Sequence, residues 1–340
     1  MAKLKHFISV ISVALLMILL AGCSSMNSDS VIRMGTGGVG GNYYQYGNVL
    51  AGLVQKDMDN VTLDVQTTEG SSSNLRLIGK GFLDMAIVQN DALYDAIQGK
   101  RDFDGNPVDN VQAISALYTE TLQIVVRKDS DIRTISDLKG RKVSIGEKKS
   151  GVLRNAEDVL HAAGISTSQI SVQNLSFSDS AKELASGKID AFFVMAGAPT
   201  TAISELAKET DIRLLSMDDT TRKVLLRLHP EYLEASLPAD TYSDQADPVS
   251  TIGVKAVLVC DSRMSEDTIS GITEILFKHS NEIQYGTNEQ SAPTLEYATS
   301  DVSADFHAGA TSYYKSKKVD VTAGSRSTKK KSVRASQDSE

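Results

Sequence analysis

Cysteine is nearly absent from this chain: Cys23 and Cys260 are the only two. Cys23 closes an N-terminal leader, so Cys260 is left alone and an internal disulfide is excluded. Cys260 lies in the apolar run Ala256-Val257-Leu258-Val259, where a thiol packs as a small hydrophobe. Histidine is scarce too, at five residues, and His161, His229, His279 and His307 are scattered. None stands beside a Ser or Cys in a nucleophile motif, and neither H-E-x-x-H nor paired-cysteine spacing occurs. These absences argue against a zinc site, a metal of any kind and hydrolytic catalysis, and no cofactor is expected. Tryptophan is missing altogether, which carries no functional meaning. No apolar run is long enough for a membrane span; Phe7–Leu20 comes nearest and falls short.

That run follows Lys3 and Lys5 and fits the apolar core of a secretory signal over residues 1–22. It ends in Leu20-Ala21-Gly22-Cys23, which resembles the bacterial lipobox. Cleavage before Cys23 and lipidation of its thiol would tether the protein to a membrane without a spanning helix. Residues 23–30 then form a polar linker, and the protein is expected to be extracytoplasmic.

The formal charge is −8. The leader lysines and the end of the chain are basic, the latter through Lys315, Lys317, Lys318 and Lys329-Lys330-Lys331, so the body between them is more acidic than the whole. An acidic body argues against nucleic acid as a partner. Residues 316–340 read as a disordered basic tail.

What is abundant is glycine in one place. Val31-Ile32-Arg33-Met34 runs into Gly35-Thr36-Gly37-Gly38-Val39-Gly40-Gly41, five glycines in seven positions, and then into a helical pattern from Asn42, an expected N-cap. Tyr43, Gly47, Leu50, Ala51 and Val54 fall on one helical face. Glycines let a backbone approach a bound group, and the helix start behind them offers free N–H groups to an anion. The stretch reads as half of a ligand site.

Strands and helices alternate beyond it. Strands are expected at 61–65 and 84–88, with polar loops at 68–74 and 89–91 at their carboxyl ends, where open α/β sheets bind ligands. Leu117–Val126 and Val254–Val259 are long apolar strands and hinge candidates. Between them the pattern predicts strands at 142–146, 172–175, 189–195 and 212–216, and helices over 152–163, 178–185, 199–208 and 218–228. One unit recurs: Ile78-x-x-Gly81-x-x-Asp84 before a strand ending at Gln89, and Leu184-x-x-Gly187-x-x-Asp190 before a strand ending at Ala196. It suggests two halves built alike, with Gln89–Asp91 facing Gly197–Pro199 across a cleft.

Gly35-x-Gly37-x-x-Gly40 also matches the dinucleotide fingerprint, with Glu69 where a ribose-binding acid would sit. Export argues against it, because nicotinamide cofactors are not normally supplied outside the cytoplasm. Glu147-Lys148-Lys149-Ser150-Gly151 is not a phosphate loop, because the Gly-Lys-Ser/Thr order is missing.

Four elements resemble one family: Gly37-Gly38-x-Gly40-Gly41-x-Tyr43-Tyr44, the loop from Glu69-Gly70-Ser71 to Leu77, Gly81-x-x-Asp84-x-Ala86-x-x-Gln89, and Asp190–Pro199 ending in Ala196-Gly197-Ala198-Pro199. They are similar to the TAXI family, the extracytoplasmic solute receptors of TRAP transporters. The likeness continues through Ala239–Tyr242, Thr251–Val254 and His307-Ala308-Gly309-Ala310, over about residues 31–315. It implies an α/β, periplasmic-binding-protein-like fold: two α/β lobes joined by two hinge strands with a ligand cleft between. Lobe 1 would be 31–120 with 250–315, and lobe 2 would be 121–249. It implies capture of a small carboxylate, a glutamate-like amino acid or a dicarboxylate, and delivery to TRAP-type permease subunits by a monomeric, non-enzymatic receptor. Carried over by position, Gly40, Asn42, Tyr43, Ser71, Ser72, Gln89 and Asp91 would line one wall, and Ser150, Gly151, Gly197, Ala198 and Pro199 the other. The chain departs from the family at Lys148-Lys149-Ser150-Gly151-Val152, where Pro-Gly-Ser-Gly-Thr is usual, and at Ala308. The alternatives are a surface sensor or antigen module without a permease, and an exported NAD(P)-binding oxidoreductase.

Overall fold

The computed structural model describes residues 30–287 and 292–321. The leader, Cys23 and the end of the chain from 322 lie outside them. Among the described residues no helix is long and apolar enough to cross a membrane.

Two strands organise everything else. β4 (Val111–Arg127) and β10 (Val249–Asp261) are 17 and 13 residues long and pair antiparallel. At about 3.3 Å per residue, β4 spans about 55 Å, enough to run through both halves of one continuous sheet. On one side β10 pairs with β3 (Met85–Gln89), which lies parallel to β1 (Ser30–Gly35) and through it to β2 (Val61–Gln66). On the other side β4 pairs with β7 (Ala191–Ala196), which lies parallel to β5 (Lys142–Ser144) and then β6 (Ser171–Gln173). The order is β2-β1-β3-β10-β4-β7-β5-β6, with β8 (Ile212–Leu214) on β4 and β9 (Leu233–Leu237) on β10. Each half therefore holds three parallel strands beside the antiparallel crossing pair.

Residues of the crossing strands alternate between the two faces, as strand geometry requires. In the first half Ile114, Leu258 and Cys260 pack with Tyr46, Leu50, Ile272 and Tyr314 on one face, while Ala113, Val257 and Val259 pack with Leu75, Leu93 and Phe103 on the other. In the second half Ile124, Val126 and Val254 join Val143, Val159 and Leu225, while Val125 and Val249 join Phe192, Ile203 and Leu206. Cys260 is fully buried, and burial pushes its thiol well above the ordinary range.

The repeated unit is repeated in atoms. Gly81 and Gly187 turn with φ of 72° and 71°. Asp84 and Asp190 then each clamp a neighbouring strand. Asp84 Oδ2 accepts from Arg33 N at 2.9 Å and Asp190 Oδ2 from Lys142 N at 2.8 Å, while Asp84 N and Asp190 N donate to the carbonyls of the same two residues. The same turn thus fixes β1 against β3 and β5 against β7.

Several local expectations shift. Gly41, not Asn42, is the N-cap of α1 (Asn42–Asp57). Its buried residues are Asn42, Tyr46, Gly47, Leu50, Leu53 and Val54, and Tyr43 and Ala51 are partly buried and pack against the first-half core. Ser176, not Ser178, caps the helix Phe177–Ala185, and the helix expected at 199–208 runs Thr201–Glu209. The tail begins later than 316: Val319 and Val321 pack against the first-half core.

His279 follows the helix Glu266–Lys278 and is buried. Its Nε2 meets Asp57 at 2.8 Å and its Nδ1 meets Glu282 at 2.5 Å. Hydrogen bonding to Asp57 and then Glu282 raises its pKa above 6.5. A raised folded-state pKa stabilises the fold below the unfolded value, about 6.5, and that contribution is lost as pH rises through the folded value. The melting-temperature difference between the native chain and His279→Gln is therefore expected to be larger at pH 6 than at pH 9. An equal difference at both would show that the charge contributes nothing.

Candidate ligand site

A cavity of about 330 Å³ lies between the halves, near the lower end for small-molecule sites. The first half contributes Gly37–Tyr43, Glu69–Ser71, Gln89 and Glu120; the second contributes Glu147, Ser150–Val152, Leu175–Asp179, Lys182, Met195 and Ala196.

Five helix starts meet here: Asn42, Ser71, Asn90, Gly151 and Phe177. Chain reversal after strands β1, β2, β3, β5 and β6 brings them to one edge. In the second half the cap side chains Ser150 and Ser176 accept from Leu153 N and Asp179 N. In the first half Gly41, Gly70 and Gln89 make no side-chain cap. There Ser73 N donates to Lys149 O and Ala92 N to Asp91 Oδ1, and the helix dipoles favour negative charge at these starts.

The floor is different. Glu120, 1% exposed, comes from the middle of β4. Its Oε2 accepts from Gln89 Nε2 at 3.0 Å. The Tyr43 phenol lies beside it: burial first, then the Glu120 charge, pushes that phenol well above its ordinary value and keeps it protonated. At the rim, burial raises the Glu147 carboxyl, helped by Glu69 and Asp179. Val39, Val152, Leu175, Phe177 and Met195 supply apolar surface.

The halves touch around the cavity. Gly40 O accepts from Ala202 N at 3.3 Å, Gln45 Nε2 donates to Thr201 Oγ1 at 2.8 Å, and Ser73 N donates to Lys149 O at 3.1 Å. Gly40 and Gly151 are contact points that exclude a side chain. A Cβ on Gly40 would lie 2.5 Å from Ser178 Oγ, and one on Gly151 1.9 Å from Gln89 Oε1. Beside the cavity the two halves exchange charges. Arg154 reaches Asp91 and, at 3.1 Å, Asp95; Arg101 reaches back to Asp158 at 2.9 Å. Burial pulls the Arg154 pKa down, but Asp91 and Asp95 outweigh it, so the guanidinium stays charged.

A model of the NMT1-like family matches residues 34–317. The chain belongs to the NMT1-like family. Among solved structures, one from the glutathione import system of Streptococcus mutans (GshT with the cystine ABC importer TcyBC) is similar over 78% of this chain and 98% of that chain, at 13% identity and a TM-score of 0.50. A putative L-cystine ABC transporter protein of Listeria monocytogenes covers 76% of this chain and 94% of its own, at 13% identity and a TM-score of 0.49. The alkanesulfonate-binding protein SsuA of Xanthomonas axonopodis pv. citri, bound to MOPS, covers 76% and 78%, at 15% identity and 0.47. The likeness is one of fold, that of the two-lobed periplasmic binding proteins.

Of the residues expected to line the cleft of this NMT1-like chain, Gly40, Asn42, Tyr43, Ser71, Gln89, Ser150 and Gly151 do line the cavity. Five do not. Ser72 is buried inside its helix one position past the rim. Asp91 is spent on Arg154 and Asn155. Gly197, Ala198 and Pro199 turn behind the wall, because Thr200 is held there by Tyr242 and Gln123: Thr200 N donates to the Tyr242 hydroxyl at 2.8 Å and Thr200 Oγ1 accepts from Gln123 Nε2 at 3.0 Å. The bond between Ala198 and Pro199 is cis. Gln89 therefore faces Gly151, not Gly197–Pro199. Sequence reasoning missed Glu120 and Phe177. A carboxylate in the middle of the apolar strand Leu117–Val126 was a usable signal; Phe177, in Ser176-Phe177-Ser178, carried none.

Proposed function

We propose that this protein is an extracytoplasmic solute receptor, lipid-anchored through Cys23, that closes on a small carboxylate and delivers it to a membrane permease. Lobe 1 (31–120 with 250–315) and lobe 2 (121–249) move about β4 and β10 as a hinge. The observation that carries this reading is the cavity between the halves, where five helix starts converge and both halves supply walls. Such starts stabilise a carboxylate without a cationic side chain. Family membership and fold support a binding role over a catalytic one.

The permease is of the TRAP type, on the strength of the sequence elements similar to TAXI receptors. The solved structures named above come from ABC systems and share the fold, which does not choose the permease. Isothermal calorimetry with amino acids and dicarboxylates tests the receptor reading. One-to-one binding of at least one member is expected, and folded protein giving no heat with any would overturn it. A TRAP-type permease gene beside this one tests the partner.

A further inference from the structure

We infer that the edge of the first half where Val31 and Phe82 stand exposed is a lipid-contact surface, which seats this half on the bilayer that holds the Cys23 anchor. This deepens the receptor reading and rests on its lipid anchor.

Few large apolar side chains are exposed among the described residues: Val31, Val39, Phe82, Leu228 and Tyr285. Val39 belongs to the cavity lining, Leu228 to the second half and Tyr285 to the helix Ser280–Thr287. Val31 and Phe82, 60% and 61% exposed, share one edge. Val31 and Arg33 flank the buried Ile32 in sequence, so both project to the opposite face of β1 from it. Arg33 Nη2 donates to Gly81 O at 3.0 Å, which brings the Gly81-Phe82 turn beside them. The parallel register agrees: Met34 lies opposite Met85, three positions beyond Val31 and Phe82 alike. The turn is held in place, because Phe82 N donates to Leu77 O at 2.8 Å and the neighbouring Leu83 is buried.

Chain length selects the occupant. Cys23 and Ser30 are seven positions apart, and that much chain spans at most about 25 Å. A lipid on Cys23 therefore keeps Ser30, the first residue of β1, within that distance of the bilayer. One phenylalanine and one valine bury too little apolar area to hold a protein on a membrane alone. Tethered, they meet the surface at a high effective concentration, where a weak contact is occupied. Lys80 and Arg263 are exposed here, Arg263 beside Gly81, and their stems can lie along lipid with the heads in water. Asp59 and Asp109 are exposed nearby, through Asn60 O on Ser30 N and Asn110 O on Ser262 N, so the contact is apolar and not a charge attraction. From this edge β1 leads to the glycine loop at its other end, which lines the cavity. The second half, joined through β4 and β10, is left clear to move.

The test uses the full lipidated chain in phosphatidylcholine vesicles. The sequence has no tryptophan, so Phe82→Trp introduces a single fluorophore at an exposed position, and Leu228→Trp places one on the second half as a control. On vesicles the Phe82→Trp emission is expected to move to shorter wavelength and to lose intensity with brominated lipid. Bromine near the headgroup end of the acyl chain should quench more than bromine near its terminus, since an interfacial side chain reaches only ~5–10 Å into that boundary. High salt should leave both effects in place, because the contact is apolar. The Leu228→Trp chain, and a Phe82→Trp chain that also carries Cys23→Ser, should show neither. Vesicle-bound Phe82→Trp protein with unshifted, unquenched emission would overturn the inference and leave the anchor and the receptor reading intact. A shift that appears without vesicles and grows with protein concentration would assign the edge to a second copy of the chain and overturn it too. A lipidated chain that does not float with vesicles would overturn the anchor along with the inference.

Discussion

Replacing Arg154 by Met lowers the affinity of the cleft for its ligand by about 100-fold and leaves the unliganded fold nearly as stable as before. Arg154 belongs to the helix Gly151–Ala162 of the second half, and its side chain is 7% exposed. Its partners Asp91 and Asp95 belong to the helix Asn90–Gln98 of the first half. Both pairs have i,i+4 spacing: Asp91 and Asp95 on one helix, Arg154 and Asp158 on the other, so each presents its charges on one face. Asn155 Nδ2 adds a bond to Asp91 at 2.8 Å, and the Tyr232 hydroxyl one to Asp158 at 2.9 Å. Removing one member of a buried pair costs about 3–5 kcal/mol when the remaining charge stays buried. Here it need not stay buried: if the halves part, Asp91 and Asp95 reach water. The cost therefore falls on closing, not on folding, and about 3 kcal/mol of it is two decades in affinity. Calorimetry with the tightest compound of the panel reads the affinity, and small-angle scattering reads the expected larger radius of gyration. An unchanged affinity, or a melting point that falls with it, would show that Arg154 holds the fold and not the closed arrangement.

Gly309→Ala is expected to destabilise the protein by about 3 kcal/mol, the upper end for overpacking, and to lower the melting temperature by about 6 °C. Gly309 lies in the last helix, Ala308–Ser316, seated on Glu266–Lys278. A Cβ there would sit 2.2 Å from Glu266 O and 2.9 Å from Ser270 N. Both atoms are backbone, so no side chain can swing aside. The helix must move out and take Ala310, Tyr313 and Tyr314 with it, all part of the first-half core. His307 fixes the approach: its Nδ1 accepts from Gly309 N at 3.1 Å and its Nε2 meets Met264 O at 3.1 Å. Gly52→Ala is the matching control. It lies inside the helix Asn42–Asp57 with nothing within 4 Å of the added carbon, so a gain of about 1 kcal/mol is expected there. Thermal unfolding of the two variants decides the matter: equal shifts would mean that helix propensity, not packing, governs both.

The fold was legible because its signals are local. Gly81 and Gly187 mark left-handed turns, Asp84 and Asp190 mark strand starts, and Leu117–Val126 with Val254–Val259 announce strands buried on both faces. The cavity's first wall was legible for the same reason: glycines before a helix are visible at short range. The second wall was not. Whether Ala198 or Phe177 faces the cleft depends on how Thr200 is held by Tyr242, a contact between residues 42 apart. The burial of Glu120 depends on where two long strands cross, and no window of a few residues contains that. His307-Ala308-Gly309-Ala310 was visible as a pattern, but its helix-docking role needed the distance to Glu266.

The strand order has a bearing on how the chain comes to be folded at all. Met85–Gln89 and Val111–Arg127 never bond to each other; Val249–Asp261 lies between them. A chain emerging from its N-terminus thus has its earliest sheet standing with a missing middle member until more than a hundred further residues have appeared. Two apolar strand edges wait all that time without their neighbour, the situation in which a nascent chain is most exposed to wrong pairing.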